Sequence, residues 1–370
     1  MRKHVLTIVF FLILAVGFVG TLLNLGTDFS FAERRVLAEF PKADSFSLSH
    51  WTWDDDIENY LSDHLPARDV LTGIGAYMRL CAGTERLDDI YVTRTGQLVE
   101  SPVEYSRENL ASLEKNLKRL DRLASDEGMK MTVLVPPSAG FAAREDLPAS
   151  LRPLYRDDAL LDEISGYPEL VAVDLTDALC EGKGNRFYRT DNHWNADGAY
   201  AAYVRCLESL GKTPVPAEAI EYESDPDFHG STLSRSALWL TPHETIRYPI
   251  PDCAYEVQIE KDPVRSDLYF REALSSHDPY AVFFNGNYGT VRLTNLSPGG
   301  EGVLLIVKDS FANSLVPLLL PHYKTVIMID PRFFRGSVHE LIVSEGVDGL
   351  LCVCSLKTLV TDAKLRALPK

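Results

Sequence analysis

The stretch GVLLIVKDSFANS, residues 302–314, decides how the rest of the chain is read. The apolar run from Val303 to Val307 reads as a buried strand, and Lys308-Asp309-Ser310 leads out of it into a segment able to start a helix. Pro317 keeps that helix short. A serine at such a junction exposes its hydroxyl at the C-terminal edge of a sheet. Free N–H groups of the first helical turn then face whatever binds there. The same residue also fits a plain helix N-cap, so one strand end carries two readings.

Working outward, the same rhythm recurs. KMTVLVPP reads as a buried strand ending at Pro136 and Pro137, LVAVDL (residues 170–175), TVIMID (325–330) and GLLCVC (349–354) as further strands. Between them lie helices. Leu110, Leu113, Leu117 and Leu120 recur at helical spacing and predict a helix over residues 107–127 stopped by Gly128; others are predicted near 157–164, 196–210 and 338–344. Continuous apolar strands alternating with helices predict an α/β fold with a mostly parallel sheet sandwiched by helices, its site at the strand C-terminal ends. Alternating apolar residues around Arg94-Thr95-Gly96 predict a hairpin over 90–100, and residues 212–276 break the rhythm as a loop-rich insertion.

The second informative stretch is YRTDNHWNADGAY, residues 188–200. If the backbone is extended there, Asp191 and His193 project to one side and Asn192 to the other. A carboxylate beside an imidazole fixes its tautomer and stabilises the imidazolium, as a general base requires. A capping Asp191 with an ordinary polar His193 beside a buried Trp194 fits the same residues. Asn195 is a good N-cap for the next helix, which Gly211 closes. No His-x-x-x-His pair or acidic cluster accompanies His193, and no cysteine pair has zinc-ligand spacing with a second pair to match, so no metal is expected. Together, Ser310, His193 and Asp191 supply nucleophile, base and orienter for acyl transfer.

The chain of 370 residues is 45% hydrophobic, enough for a large core, and 37 Lys and Arg against 53 Asp and Glu give a net charge of -16. Nucleic acid is therefore not an expected partner. Six cysteines permit disulfides without specifying pairing, and Cys352 and Cys354 share one face of a strand as core residues. Arg2, Lys3 and His4 precede an uncharged run, residues 5–27, that reaches the roughly 20 residues needed to cross a bilayer. No small-x-small exit follows, which favours an uncleaved signal anchor over a cleaved signal. The basic end stays cytoplasmic, so the rest of the chain is expected outside the membrane. The expected division is an anchor over 1–27, a stalk with a short helix over 28–82, and the α/β domain over 83–370.

The two long motifs, YRTDNHWNADGAY and VKDSFANSLVPLLLPHYKTVIMIDPRFF, resemble the DHHW protein family of bacterial cell-envelope proteins. That family is similar to the alginate O-acetyltransferases, whose catalytic domain is SGNH-hydrolase-like with permuted motif order. VPPSAGF, VDLTDAL, DPYAVFFNGN and YLSDHLPARD extend the resemblance over most of the chain after the anchor. It implies Ser310 as nucleophile, His193 as base and Asp191 as its partner, with Asn192 standing where the family name leads one to expect His. It also suggests Gly286 and Asn287 near an oxyanion site, although Asn287 fits a turn equally well, and Tyr188 and Arg189 either line the cleft or belong to a solvated loop. The implied activity is O-acetyl transfer to a cell-wall or exopolysaccharide sugar without a cofactor, a membrane-bound O-acyltransferase supplying the acetyl. An esterase with the same triad and a non-catalytic glycan-binding scaffold remain the alternatives.

Overall fold

The computed structural model describes residues 2–41, 53–181, 184–362, 365 and 368, so part of the expected stalk lies outside the described residues. Two compact units are present, one comprising residues 1–88 with 233–241 and the other residues 89–232 with 242–370.

In the first unit a helix spans Arg2–Asn24. Its segment His4–Asn24 is long and apolar enough to cross a membrane, fitting a single-pass anchor or a signal sequence. The helices Trp53–Asp63 and Arg68–Cys81 follow. Arg35 grips Asp63 through both guanidinium Nη atoms (2.8 and 2.5 Å), and this pairing, against the cost of burial, holds the Asp63 carboxyl down to about 2.

The second unit is built on a seven-stranded sheet. Its strands in chain order are β1 (Met131–Leu134), β2 (Leu170–Val173), β3 (Tyr255–Ile259), β4 (Thr290–Asn295), β5 (Val303–Lys308), β6 (Thr325–Ile329) and β7 (Gly349–Val353). The spatial order is β3-β4-β6-β5-β7-β1-β2. The five strands from β6 to β2 run parallel, while β4 is antiparallel to β6 and β3 to β4. The α/β architecture expected from the strand-helix rhythm is therefore present, with β5 at the centre. β3 lies within the stretch read as an insertion and forms a sheet edge; β4, whose VRLTN alternates, was not expected as a strand.

Burial on both faces explains the continuous apolar runs. Leu304 and Ile306 of β5 enter one core with Trp194, Tyr203 and Leu315, while Leu305 and Val307 enter another with Leu117, Leu120 and Ile342. At about 1.5–3 kcal/mol per fully buried aliphatic side chain, this strand is held firmly from both sides. The helix Arg107–Asp126 starts on the Ser106 cap and buries Leu113, Leu117, Leu120 and Leu123. Residues 90–92 and 98–100 pair as the expected hairpin. Cys352 and Cys354 are buried in the second core, and all six cysteines are unpaired.

Candidate active site

The site is assembled where β5 ends and where the loop before the helix Ala196–Ser209 meets it. Lys308 is the last residue of β5, Asp309 and Ser310 turn out of the sheet, and the next helix covers Ala312–Leu319. Asp309 fixes the turn. Its Oδ1 accepts the Phe311 N–H (3.0 Å), and its Oδ2 accepts the Ser355 N–H (2.7 Å) and the Thr358 hydroxyl (2.7 Å). The Ser310 hydroxyl does not cap the helix, for it lies 2.7 Å from His193 Nε2.

His193 is placed from the other side. Asn195 caps the helix Ala196–Ser209 by accepting from the N–H groups of Asp197 and Gly198. Trp194, fully buried, donates its indole N–H to Ser314 Oγ (2.8 Å) and meets Phe311 edge-on. The backbone at 191–193 is bent rather than extended, because Asp191 Oδ1 accepts the backbone N–H of His193 (3.0 Å) as well as facing ring Nδ1 (2.5 Å). This Asx turn, not strand alternation, puts the two side chains together. It also corrects the expectation for Asn192, which lines a cleft with Phe311 and accepts from the Ser231 hydroxyl (3.2 Å).

Several contacts around the imidazole have no local signal in sequence. Tyr280 stacks flat on His193 (3.9 Å, 8°), and its hydroxyl reaches Ser314 Oγ. Ser231 N–H donates to Asp191 Oδ2 (2.7 Å) from forty positions away. Gly230 makes that approach possible, since a Cβ there would lie 2.2 Å from the Asp191 Cβ. Glu244 ties the loop down by accepting from the N–H groups of Arg189 and Thr190 and from the Thr190 hydroxyl.

Electrostatics follow from these partners. Burial opposes the Asp191 charge, but the His193 ring and the Ser231 and His193 N–H groups outweigh it and hold the carboxyl well below its usual range. An ionised carboxylate only accepts, so His193 carries its proton on Nδ1 and presents the Nε2 lone pair to the Ser310 hydroxyl. Ser310 is half-buried while His193 and Asp191 are buried, so the relay is shielded more than the serine.

The expected donors of the first helical turn are not available. Phe311 N–H is held by Asp309 Oδ1, Ala312 N–H by Asp309 O (3.3 Å) and Asn313 N–H by Ser310 O (3.1 Å). Among the described residues, the Ser310 N–H and the Asn287 side-chain NH2 have no acceptor. Asn287 follows Phe284, Asn285 and Gly286, all at positive φ (61°, 58° and 114°). Phe284 in that conformation costs about 1–3 kcal/mol, so its neighbours must enforce the loop. Asn287 accepts from Lys308 Nζ (2.6 Å), and Gly286 O accepts from Asn313 (3.3 Å). Tyr188 and Arg189 are engaged elsewhere. The Tyr188 ring is buried against Phe228, and the Arg189 guanidinium donates to Thr95 O (2.7 Å), because the loop they belong to is anchored to its own surroundings rather than opened to the cleft. No metal-ligand cluster occurs among the described residues.

The profile of the SGNH hydrolase-like domain of acetyltransferase AlgX matches residues 95–238, and that of the DHHW protein family matches residues 179–329. The resemblance to the DHHW family is thus present in sequence, and the AlgX match relates the chain to an acetyltransferase family. No curated protein sequence matches the chain. Among solved structures, a DHHW family protein from Eubacterium siraeum is similar at 20% identity and a TM-score of 0.61, over 73% of this chain and 91% of that one. PatB1 of Bacillus cereus, solved with a sulfonyl adduct, is similar at 19% identity and a TM-score of 0.63, over 77% of this chain and all of that one (100%). At these identities the likeness is one of fold.

Proposed function

We propose that the chain is a serine-dependent O-acetyltransferase working outside the cytoplasmic membrane on a cell-wall or exopolysaccharide sugar. The continuous hydrogen-bonded line from Asp191 through His193 to Ser310 carries the reading. His193 Nε2 takes the Ser310 proton as Oγ attacks the donor's acetyl carbonyl. The imidazolium returns that proton to the departing group, leaving acetyl on Ser310. A sugar hydroxyl then loses its proton to Nε2 and attacks the ester, which restores the serine. The Ser310 N–H and the Asn287 amide are the available donors for the oxyanion of both tetrahedral intermediates. The acetyl group is supported by the match to the AlgX domain, and attack on an electrophile by the sulfonyl adduct of PatB1. The donor is a membrane-bound acyltransferase that passes acetyl across the bilayer.

The test uses the full chain in detergent with p-nitrophenyl acetate as donor and cell-wall or exopolysaccharide oligosaccharides as acceptors. Acetylated sugar detected by mass spectrometry, absent with Ser310→Ala, is the expected outcome. Acetate alone, again dependent on Ser310, assigns an esterase. Equal p-nitrophenol release by wild type and Ser310→Ala removes the catalytic reading.

A further inference from the structure

Two residues before the nucleophile stands a lysine that the acyl-transfer chemistry above does not use. Lys308 is 1% exposed at the C-terminal end of the central strand. Its Nζ donates to two neutral oxygens, Asn287 Oδ1 at 2.6 Å and Asn313 Oδ1 at 2.8 Å. Among the described residues no carboxylate lies within ion-pair distance. A buried ammonium without a paired anion is costly, and an apolar side chain of similar length would stabilise this position better. The lysine therefore makes sense by what it does to its neighbours.

An ammonium only donates. Asn287 and Asn313 must both turn their oxygens toward it, which removes the usual freedom of a carboxamide to flip. Asn313 then directs its NH2 to Gly286 O (3.3 Å) and Asn287 Oδ1 (3.4 Å). The Asn287 oxygen, held by two donors, leaves its NH2 facing away from the lysine with no acceptor among the described residues. Asn287 is only partly buried, and the backbone N–H of Asn313 is bonded to Ser310 O, so this amide cluster is tied directly to the nucleophile's own turn. We propose that Lys308 is a positioning residue of the acyl-transfer site: its ammonium locks the Asn287 carboxamide with oxygen inward and NH2 toward the oxyanion. This rests on the acyl-transfer reading above. Without the ammonium, the carboxamide loses the charge that holds its oxygen inward, and an oxygen turned to the oxyanion repels it.

A pH dependence follows. Burial pushes the Lys308 ammonium down to about 8, while Asp330 and Asp309 oppose the shift and Arg332 adds to it; Cys354 also faces the group. Loss of the proton removes the lock.

The test measures p-nitrophenyl acetate turnover by the full chain in detergent for wild type, Ser310→Ala, Lys308→Met, Asn287→Ala and the Lys308→Met/Asn287→Ala double variant. Each single variant is expected to lower kcat by about 10²- to 10³-fold with KM little changed, an oxyanion-donor effect. The double variant should be no slower than the worse single, because both remove one device. Wild-type kcat should fall above about pH 8 and Asn287→Ala should not show that limb. Lys308→Met turning over at the wild-type rate, or single losses that multiply in the double variant, overturns the assignment while an inactive Ser310→Ala keeps the acyl reading. A fully active Ser310→Ala removes both. If Lys308→Met does not fold, the wild-type and Asn287→Ala profiles decide, and an alkaline fall shared by the two overturns the proposal.

Discussion

At the scale of single residues, Asp191 is the group whose charge state sets everything downstream. Its carboxylate accepts the His193 ring, the His193 N–H and the Ser231 N–H, so it can only favour the Nδ1–H tautomer. Asp191→Asn keeps the shape but offers an NH2, which stabilises the opposite tautomer and turns Nε2 into a donor toward Ser310. The expected loss in kcat is about 10³- to 10⁴-fold with KM little changed, read in steady-state turnover of p-nitrophenyl acetate. Loss of less than about tenfold would show that the tautomer is set elsewhere. The same depression has a thermodynamic sign. A carboxyl held below its ordinary 3.8 contributes stability that is complete above that value and lost as pH falls through the lower folded value. Acid unfolding of wild type should therefore be steeper below about pH 4 than that of Asp191→Asn.

At the scale of elements, the strand-turn-helix around Ser310 and the capped loop around His193 are each specified locally, but their meeting depends on a third segment. Residues 230–231 bring one N–H to Asp191, and the approach is so close that a Cβ at Gly230 would meet Thr190 O at 2.3 Å as well as Asp191. Gly230→Ala should displace Ser231 from the carboxylate, costing about 1–3 kcal/mol of stability by overpacking and lowering kcat more than it raises KM. Thermal melts and turnover on the same preparation check both, and unchanged values for each would mean that the loop relaxes freely. This third segment marks the limit of what the chain reveals by itself. The buried strands, the Asn195 cap and the pairing of Asp191 with His193 were legible because their causes lie within a few residues. The Asx turn replaced the expected extended backbone because a side-chain oxygen outbid the strand geometry for the His193 N–H. Tyr280, Ser231 and Lys308 were not legible as site residues, since stacking, a distant N–H and a buried ammonium have no periodicity to read. The first-turn N–H groups after Ser310 were misjudged for a related reason: Asp309 takes those of Phe311 and Ala312, and Ser310 O takes that of Asn313.

At the scale of the whole molecule, charge and hydrophobicity divide the work. A net charge of -16 repels anionic headgroups, whereas the helix His4–Asn24 is long and apolar enough to cross a bilayer, as an anchor or a signal sequence would. The proposed extracytoplasmic acetyl transfer requires residue 28 onward to lie on the far side of the membrane, the orientation that the positive-inside rule favours for an anchor with basic residues 2 and 3 at its short end. Cys81 offers a direct reading of it, being exposed at the end of the helix Arg68–Cys81, whereas Cys206, Cys352 and Cys354 are buried. In a chain carrying Cys180→Ser and Cys253→Ser, a membrane-impermeant maleimide added to intact spheroplasts of an expressing bacterium should label Cys81 before lysis, and Cys81→Ser should abolish the signal. Labelling that appears only after lysis would place Cys81 in the cytoplasm, and the acetyl donor would then have to be sought there instead.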